Sequence, residues 1–574
     1  MGKKPLTLVE ILRWRSNLQP HNLAYRFLKD GECDEETISY KELDRQARSI
    51  GALLQETINE GERAIILHSS GLDFIISFLG CLYAKIIAVP VSPPHPARLE
   101  TTLETTLRII ENAKPKVALL SNSLFRSIQI GSGLKEKFKS LKLLATEGID
   151  TEELSKNWEQ SDYNGEELAF LQYTSGSTFF PKGVMVSHNN LMHNQEIIQE
   201  CFGHTHESRG VIWLPPYHDM GLIGGFLQPL FTGFTVTIIP NLMILQKPIR
   251  WLQAITRYKA TSSGGPNFAY DVCLKKVKPE DRDQLDLSTW EVAFNGAEPI
   301  RKNTLDKFTE FFAPCGFRKE AFLPCYGLAE ATLMVTGGAK NRRFVSQKLL
   351  KSGLEKNKVV FSKGSEEDIA QIVGCGKKFD SIKIKIVNPE NLNSCDPNEI
   401  GEVWVAGQSI AKGYWNNPLE SSVTFGGYLS ETGEGPFLRT GDLGFVFEDE
   451  LYITGRLKDI IIIDGKNHYA HDIERTVISA HPSIRPAGCA VFSIENSEKD
   501  QVVVIAEIQY WLIQNIEEVK KSIRQAVAEQ HNVSIYDIKL TLPGSIPRTT
   551  SGKIRHYLCK EDYLSGVLKE ITMP

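Results

Sequence analysis

Several short strings in this chain gather the residue types that handle phosphate, carboxylate and sugar hydroxyl groups. Thr174-Ser175-Gly176-Ser177-Thr178, followed by Pro181-Lys182-Gly183, joins glycine-freed backbone N–H groups, hydroxyls and one ammonium, a donor set able to wrap a polyphosphate. Pro181 stands where a Walker A loop carries its second glycine, so this is either a different phosphate loop or an ordinary turn. Leu214-Pro215-Pro216-Tyr217-His218-Asp219-Met220-Gly221 presents an aromatic ring, an imidazole and a carboxylate together, although an isolated histidine is more often structural. In Tyr326-Gly327-Leu328-Ala329-Glu330, the carboxylate suits a hard cation bridging phosphates, which takes one or two protein carboxylates and several waters. Arg439-Thr440-Gly441-Asp442 offers a carboxylate for two vicinal sugar hydroxyls, or a simple turn acceptor. Near the end, Ile546-Pro547-Arg548-Thr549-Thr550-Ser551-Gly552-Lys553 places a lysine after glycine on a loop, able to reach a distant site or merely to be solvated.

These strings need strands to hold them. Short β-rich runs alternate with helical ones: Ala64 to Leu67, a helix from Asp73 to Ala84, Ile86 to Val91, and Val117 to Leu120. The alternation recurs at Val211 to Leu214, Phe234 to Ile239 and Val292 to Phe294, with a helix from Pro248 to Arg257 between them. That pattern predicts an α/β fold with largely parallel sheets, whose ligands gather at strand C-termini. Asn295-Gly296-Ala297-Glu298-Pro299 and the Tyr326 string each follow an apolar run and should open onto one crevice. After Thr454-Gly455 the texture changes to a smaller unit, with strands at Ile460 to Ile463 and Val502 to Ile508. A helix follows, capped at Asn515, whose apolar face is Ile516, Val519, Ile523 and Val527. The division predicted is a large unit over 1–455, a hinge at 456–460 and a small unit over 461–574.

Composition narrows the function classes. Of 574 residues, 41% are hydrophobic and 24% charged, enough for more than one buried core. Lys and Arg total 65 against 70 for Asp and Glu, so a net charge of -5 gives no general attraction for nucleic acid. The 10 cysteines form no metal-ligand spacing, and a reduced cytoplasm is expected. The most apolar stretch, Gly71 to Val91, carries Asp73 and Lys85 and contains Pro90, so no transmembrane segment is expected. Leu6 stands where a myristoylation site needs Ser or Thr, and neither a signal peptide nor a lipid anchor is expected.

From about Glu36 to about Tyr557 the motifs and their order resemble the adenylate-forming superfamily of acyl-CoA synthetases, luciferases and peptide-synthetase adenylation domains, and most of all its fatty acyl-AMP ligases. The resemblance implies a large AMP-binding domain with mixed and parallel sheets flanked by helices, and a small mobile α+β C-terminal domain. It implies ATP as the nucleotide, with Thr174, Ser175, Gly176, Ser177, Thr178 and Lys182 on its β- and γ-phosphates. Gly296, Ala297, Glu298, Tyr326 and Gly327 would surround the adenine, Asp442 the ribose, and Arg456 the ribose and phosphate. Glu330 would hold Mg²⁺, His218 would line the junction of acyl group and phosphate, Lys458 would be the hinge, and Lys553 would bridge the substrate carboxylate and the α-phosphate. Phe179 departs from the family, which usually has glycine there.

The acyl acceptor is not settled by these motifs, which acyl-CoA synthetases share. Between Thr336 and Gly376 a polar, basic stretch, longer than most connections, resembles the insertion of fatty acyl-AMP ligases, as does Gly465-Lys466-Asn467-His468-Tyr469. The resemblance therefore favours a fatty acid substrate and transfer to an acyl carrier protein, or to a carrier domain of a polyketide or peptide synthase. The alternatives are an acyl-CoA synthetase and a non-catalytic acyl-nucleotide-binding scaffold. The 340–372 stretch is expected to restrain the small domain, whereas a generic polar loop would be solvated.

Overall fold

The apolar runs of the first third become one six-stranded sheet among the described residues, ordered 142–145, 117–120, 63–67, 87–90, 168–174 and 182–187. In this computed structural model the described residues are 5–94, 99–149, 151–174, 181–364, 368–463, 466–494, 501–512, 515–531, 533–549 and 553–571. Its strands run parallel except the last pair, Leu168–Thr174 with Lys182–Ser187, which is antiparallel. Helix Leu72–Tyr83 is apolar on nearly every side and correspondingly buried on nearly every side, as a helix packed between layers must be.

A second sheet holds fourteen strands among the described residues. Its first half is parallel: Leu23–Leu28, Thr235–Ile238, Arg209–Ile212, Ser262–Gly265, Val292–Asn295 and Phe322–Gly327. From Phe322 onward the pairings turn antiparallel, so the expectation of largely parallel sheets holds for only part of the molecule. The reason is the connections. Parallel neighbours need crossover helices, while strands Leu438–Phe447 and Glu450–Arg456 are joined by a two-residue turn, Glu448-Asp449, both at positive φ.

Beyond Arg456 a short turn, Leu457–Asp459, leads into the hairpin Ile460–Ile463 and Lys466–Tyr469. A separate three-stranded sheet follows, Ile484–Ile494, Gln501–Ile508 and Ile535–Thr541, covered by helices Ala470–Ala480 and Ile516–His531. Its core is its own: Ile473 and Val477 meet Val519, Ile523 and Val527 over Val502 and Val504. The Asn515 side chain accepts from Glu517 N at 2.9 Å, the local cap expected for the second helix. No helix among the described residues is long and apolar enough to cross a membrane.

The polar stretch after Thr336 is folded rather than solvated. Ser346–Leu350 pairs antiparallel with Ile369–Lys378, and helix Lys351–Leu354 sits between. Leu349 and Leu354 are buried with Leu443, Phe445 and Tyr452 of the sheet and with Tyr469, which lies past the 457–459 turn. Asn467 N donates to Glu355 O at 3.0 Å, Asn467 Nδ2 to Asn357 Oδ1 at 3.0 Å, and Lys466 faces Glu355 at 3.4 Å. The stretch thus touches both sides of the predicted hinge.

Candidate active site

The sugar-binding corner is built by one antiparallel pairing, in which Asp442 lies directly opposite Arg456. Asp442 sits within a strand rather than in the turn its Thr-Gly-Asp context suggested. Gly441, at φ 72°, supplies the irregular step in that strand, a conformation costly for any side-chain-bearing residue. Asp442 is 5% exposed and accepts from Tyr326 Oη and Arg456 Nε, each at 2.8 Å. The carboxylate raises the Arg456 guanidinium further, and burial followed by that same charge lifts the Tyr326 phenol far above its ordinary value. Tyr326 is therefore both packed and site-facing, which joins the two roles its sequence context allowed.

Glu330 lies on the short turn Ala329–Ala331 and accepts from Tyr414 Oη at 2.8 Å. Burial raises its pKa, although the Tyr414 hydrogen bond works the other way. Lys182 stands 4.9 Å from the centroid of the Tyr414 ring and pairs with Glu420. Glu420 belongs to helix Pro418–Phe425, whose N-cap Asn417 accepts from Glu420 N at 3.3 Å. The predicted phosphate-loop lysine and the predicted metal carboxylate are thus joined through one tyrosine. No three His, Cys, Asp or Glu residues cluster as a metal cage among the described residues. A half-buried carboxylate linked through Tyr414 to an ammonium fits a hard cation that takes its remaining ligands from nucleotide phosphates and water.

The imidazole corner follows strand Arg209–Ile212, which ends two residues earlier than the apolar run suggested. His218 N donates to Pro215 O at 3.1 Å, closing a tight turn. A Cβ on Gly221 would lie 2.0 Å from Pro215 O, so no other residue fits this turn unshifted. Asp219 then opens the π-helix Met220–Leu227. Its Oδ1 receives His218 Nδ1 at 2.6 Å and Met220 N at 2.7 Å. Burial pushes the Asp219 pKa up, but His218, the Met220 amide and the charge of Lys553 together hold it below its usual value.

Lys553 enters from the small unit. Burial and Arg456 lower its pKa, opposed by Asp219, Glu298 and Asp442, so three carboxylates of the large unit and one guanidinium at the start of the hinge act on one ammonium. Its side chain is nevertheless exposed to solvent. Glu298 receives the Phe268 amide, and burial raises its pKa while Phe268 and Lys553 oppose. It follows the turn Gly296-Ala297, where Ala297 sits at φ 69° at the end of strand Val292–Asn295. Gly327 ends strand Phe322–Gly327, and Lys458 lies in the Leu457–Asp459 turn.

The structure therefore brings Lys553, Asp442, Arg456, Tyr326, Glu298 and, through Asp219, His218 to one crevice, with Glu330 and Lys182 adjoining. Thr174 ends strand Leu168–Thr174. Ser175, Gly176, Ser177 and Thr178 lie outside the described residues. Sequence reasoning singled out His218 but not Asp219, and did not find Tyr414 or Glu420. The available sign was Gly413-Tyr414-Trp415 followed by Asn417-Pro418, an aromatic turn leading into a capped, proline-started helix.

Strand-end turns gathering acids, a guanidinium and an aromatic ring, met by a lysine from a second unit, define a two-domain enzyme of the adenylate-forming class. The chain belongs to the AMP-binding enzyme family, whose model matches residues 12–415; residues 458–573 match the AMP domain of the Disco-interacting protein 2-like family. It is 43% identical to the medium-chain-fatty-acid–[acyl-carrier-protein] ligase JamA of Moorena producens, over 98% of this chain and 96% of that protein. The corresponding ligase TtuA of Teredinibacter turnerae is 32% identical, over 96% and 92%. A fatty acyl-adenylate ligase of L. pneumophila, solved with acyl adenylate and pyrophosphate, matches with 40% identity and a TM-score of 0.77, covering 98% of this chain and 96% of that one.

Proposed function

We propose that this chain is a fatty acyl-AMP ligase: it joins a fatty acid to the α-phosphate of ATP, releases pyrophosphate, and passes the acyl group to the phosphopantetheine thiol of a carrier protein. The observation that supports the reading is the corner in which Tyr326 Oη and Arg456 Nε each meet Asp442 at 2.8 Å, close enough to Lys553, from beyond the 457–459 turn, for the charges of Arg456 and Asp442 to act on its ammonium. The reaction joins two anions, so the catalyst must align them and offset their repulsion. Lys553 bridges the attacking carboxylate and the α-phosphate. Asp442 takes the ribose hydroxyls, with Arg456 and Tyr326 holding its carboxylate in place. Gly296, Ala297, Glu298 and Gly327 border the adenine, while Thr174 to Thr178 and Lys182 hold the β- and γ-phosphates. His218, braced by Asp219, lines the path of the acid. Mg²⁺ at Glu330 would neutralise charge on the phosphate oxygens.

After pyrophosphate leaves, the small domain, taken as residues 461–574, turns about Lys458 and withdraws Lys553. Carrier-protein rather than CoA transfer is supported by the names of JamA and TtuA and by the Asn357 contact that ties the 346–364 stretch to Asn467. A cytoplasmic location is in keeping with ten unpaired cysteines. The test is acid-dependent ATP–pyrophosphate exchange across fatty acids of increasing length, followed by acceptor trials with CoA and with phosphopantetheinylated carrier protein. Exchange is expected with fatty acids and thioester with the carrier alone. No exchange with any fatty acid would remove the reading, and ready acyl-CoA formation would replace it with an acyl-CoA synthetase.

A further inference from the structure

A long lysine stem on a surface loop loses rotamer freedom when it enters a crevice, so the loop beneath it must be held if the ammonium is to arrive in one place. The loop before Lys553 is held by a carboxylate to which the reaction itself assigns no role. Glu507, on strand Gln501–Ile508, is fully buried at 0% exposure. Its Oε1 accepts the backbone amides of Gly544 at 2.9 Å and Ile546 at 3.1 Å. Its Oε2 faces Arg485 Nη1 at 2.9 Å and Arg548 Nη2 at 3.7 Å. Arg548 is fixed again by donation to Ala487 O at 2.7 Å. From there the loop closes on itself: Thr549 N donates to Lys553 O at 2.7 Å, Lys553 N to Thr549 Oγ1 at 3.0 Å, and Arg555 N to Pro547 O at 2.9 Å. Ile546 is buried with Val503 and Ile505, the strand neighbours of Glu507, which anchors the same point by packing.

We propose that Glu507 is the positioning residue for Lys553, a buried anion that clamps Gly544, Ile546 and Arg548 so that the hairpin they begin presents the ammonium to the crevice. Two amides and two guanidiniums converge on one carboxylate, which is the arrangement that makes a buried charge tolerable. An error of about 1 Å in the lysine's position is enough to cost on the order of 10²-fold in rate. The proposal rests on Lys553 serving adenylation and not thiol transfer.

The experiment separates the two half-reactions in Glu507→Gln, with Lys553→Ala and Glu507→Asp alongside. Pyrophosphate exchange reports adenylation; synthetic acyl-AMP with pantetheine reports transfer. Glu507→Gln is expected to lower kcat for adenylation by roughly 10- to 100-fold with KM for ATP little changed, and to leave transfer near wild type. Glu507→Asp, which keeps the charge, should recover part of the rate. Should Glu507→Gln fail to fold, Arg485→Met, which removes one partner of Oε2, is expected to show the same selective loss on a smaller scale. Normal adenylation in the soluble variant, or an equal loss in both half-reactions, would overturn the proposal. Normal adenylation in Lys553→Ala would instead sink the underlying role of the lysine.

Discussion

The contact between the 346–372 segment and the small domain has a strength that can be worked out and tested. Any rotation about 457–459 that moves Asn467 must break its two bonds to Glu355 O and Asn357 Oδ1 and separate Lys466 from Glu355. Glu355→Ala with Asn467→Ala removes the side-chain hydrogen bond, about 1 kcal/mol, leaving the backbone bond intact. The ion pair, whose members are 46% and 22% exposed, adds about 0.5 kcal/mol after solvent screening. The sum, about 1.5 kcal/mol, corresponds to roughly a tenfold larger population of the rotated arrangement. Acyl-CoA formation at saturating CoA should therefore rise about tenfold, with pyrophosphate exchange unchanged because the crevice is untouched. Removing the helix Lys351–Leu354, with the buried Leu354 side chain, should raise it further. Unchanged acyl-CoA output from a double variant that adenylates normally would refute the restraint.

Lys553→Ala should lower acyl-adenylate formation by roughly 10²-fold or more without altering the melting temperature, since its side chain is solvent-exposed; near-normal pyrophosphate exchange in the purified variant would contradict this. Asp442→Ala should chiefly weaken ATP and acyl-AMP binding, measured calorimetrically, whereas Glu330→Gln should chiefly shift the Mg²⁺ dependence of turnover, so identical metal titrations would count against separate roles. His556 meets Glu474 at 2.5 Å; burial opposes the imidazolium, but Glu474 outweighs it and the pKa is raised above 6.5. A raised folded-state pKa gives stability that is fully present below pH 6.5 and is lost as pH rises through the raised value. The melting-temperature gap between wild type and His556→Asn should accordingly be wide at pH 6 and narrow at pH 9, and a gap that does not change with pH would show that the pair carries no charge-dependent stability.

What the sequence disclosed follows from which forces act locally. Strands such as Val117–Leu120 and Ile460–Ile463 were legible because buried parallel or hairpin strands are short unbroken apolar runs bounded by turn residues. Trp213 and Leu214 were taken into the strand ending at Ile212 because periodicity does not show where a Pro-Pro turn pulls the chain out of a ladder. Asp442 was legible as a residue but not as part of a strand, since Thr-Gly-Asp is a turn string whose irregularity here became a bulge at Gly441 in the pairing with strand Gly401–Gly407. Tyr414 and Glu420 were legible only as an aromatic turn and a capped helix, not as site residues, because they reach Glu330 and Lys182 through tertiary contacts spanning 84 and 238 residues. Glu507 was passed over inside the strand Val502 to Ile508, and only the fold shows two amides and two guanidiniums gathered around it.

The charges in the crevice also suggest why loss of pyrophosphate, rather than formation of acyl-AMP as such, should release the small domain on the proposed roles. Asp219, Glu298 and Asp442 attract the Lys553 ammonium, while Arg456 repels it. A bound triphosphate would add several negative charges beside this exposed ammonium, and each one strengthens the attraction. When pyrophosphate leaves, most of that added charge goes with it. Arg456 still holds Asp442, so the nucleoside stays while the lysine is freed. What then decides whether the domain turns is the contact at Glu355, Asn357 and Asn467, which carries no charge dependence in its two hydrogen bonds and is indifferent to the nucleotide. On these roles electrostatics times the release of Lys553, and the contact of Glu355 and Asn357 with Lys466 and Asn467 sets how often release becomes rotation, so an acceptor that binds the rotated form is needed to complete transfer.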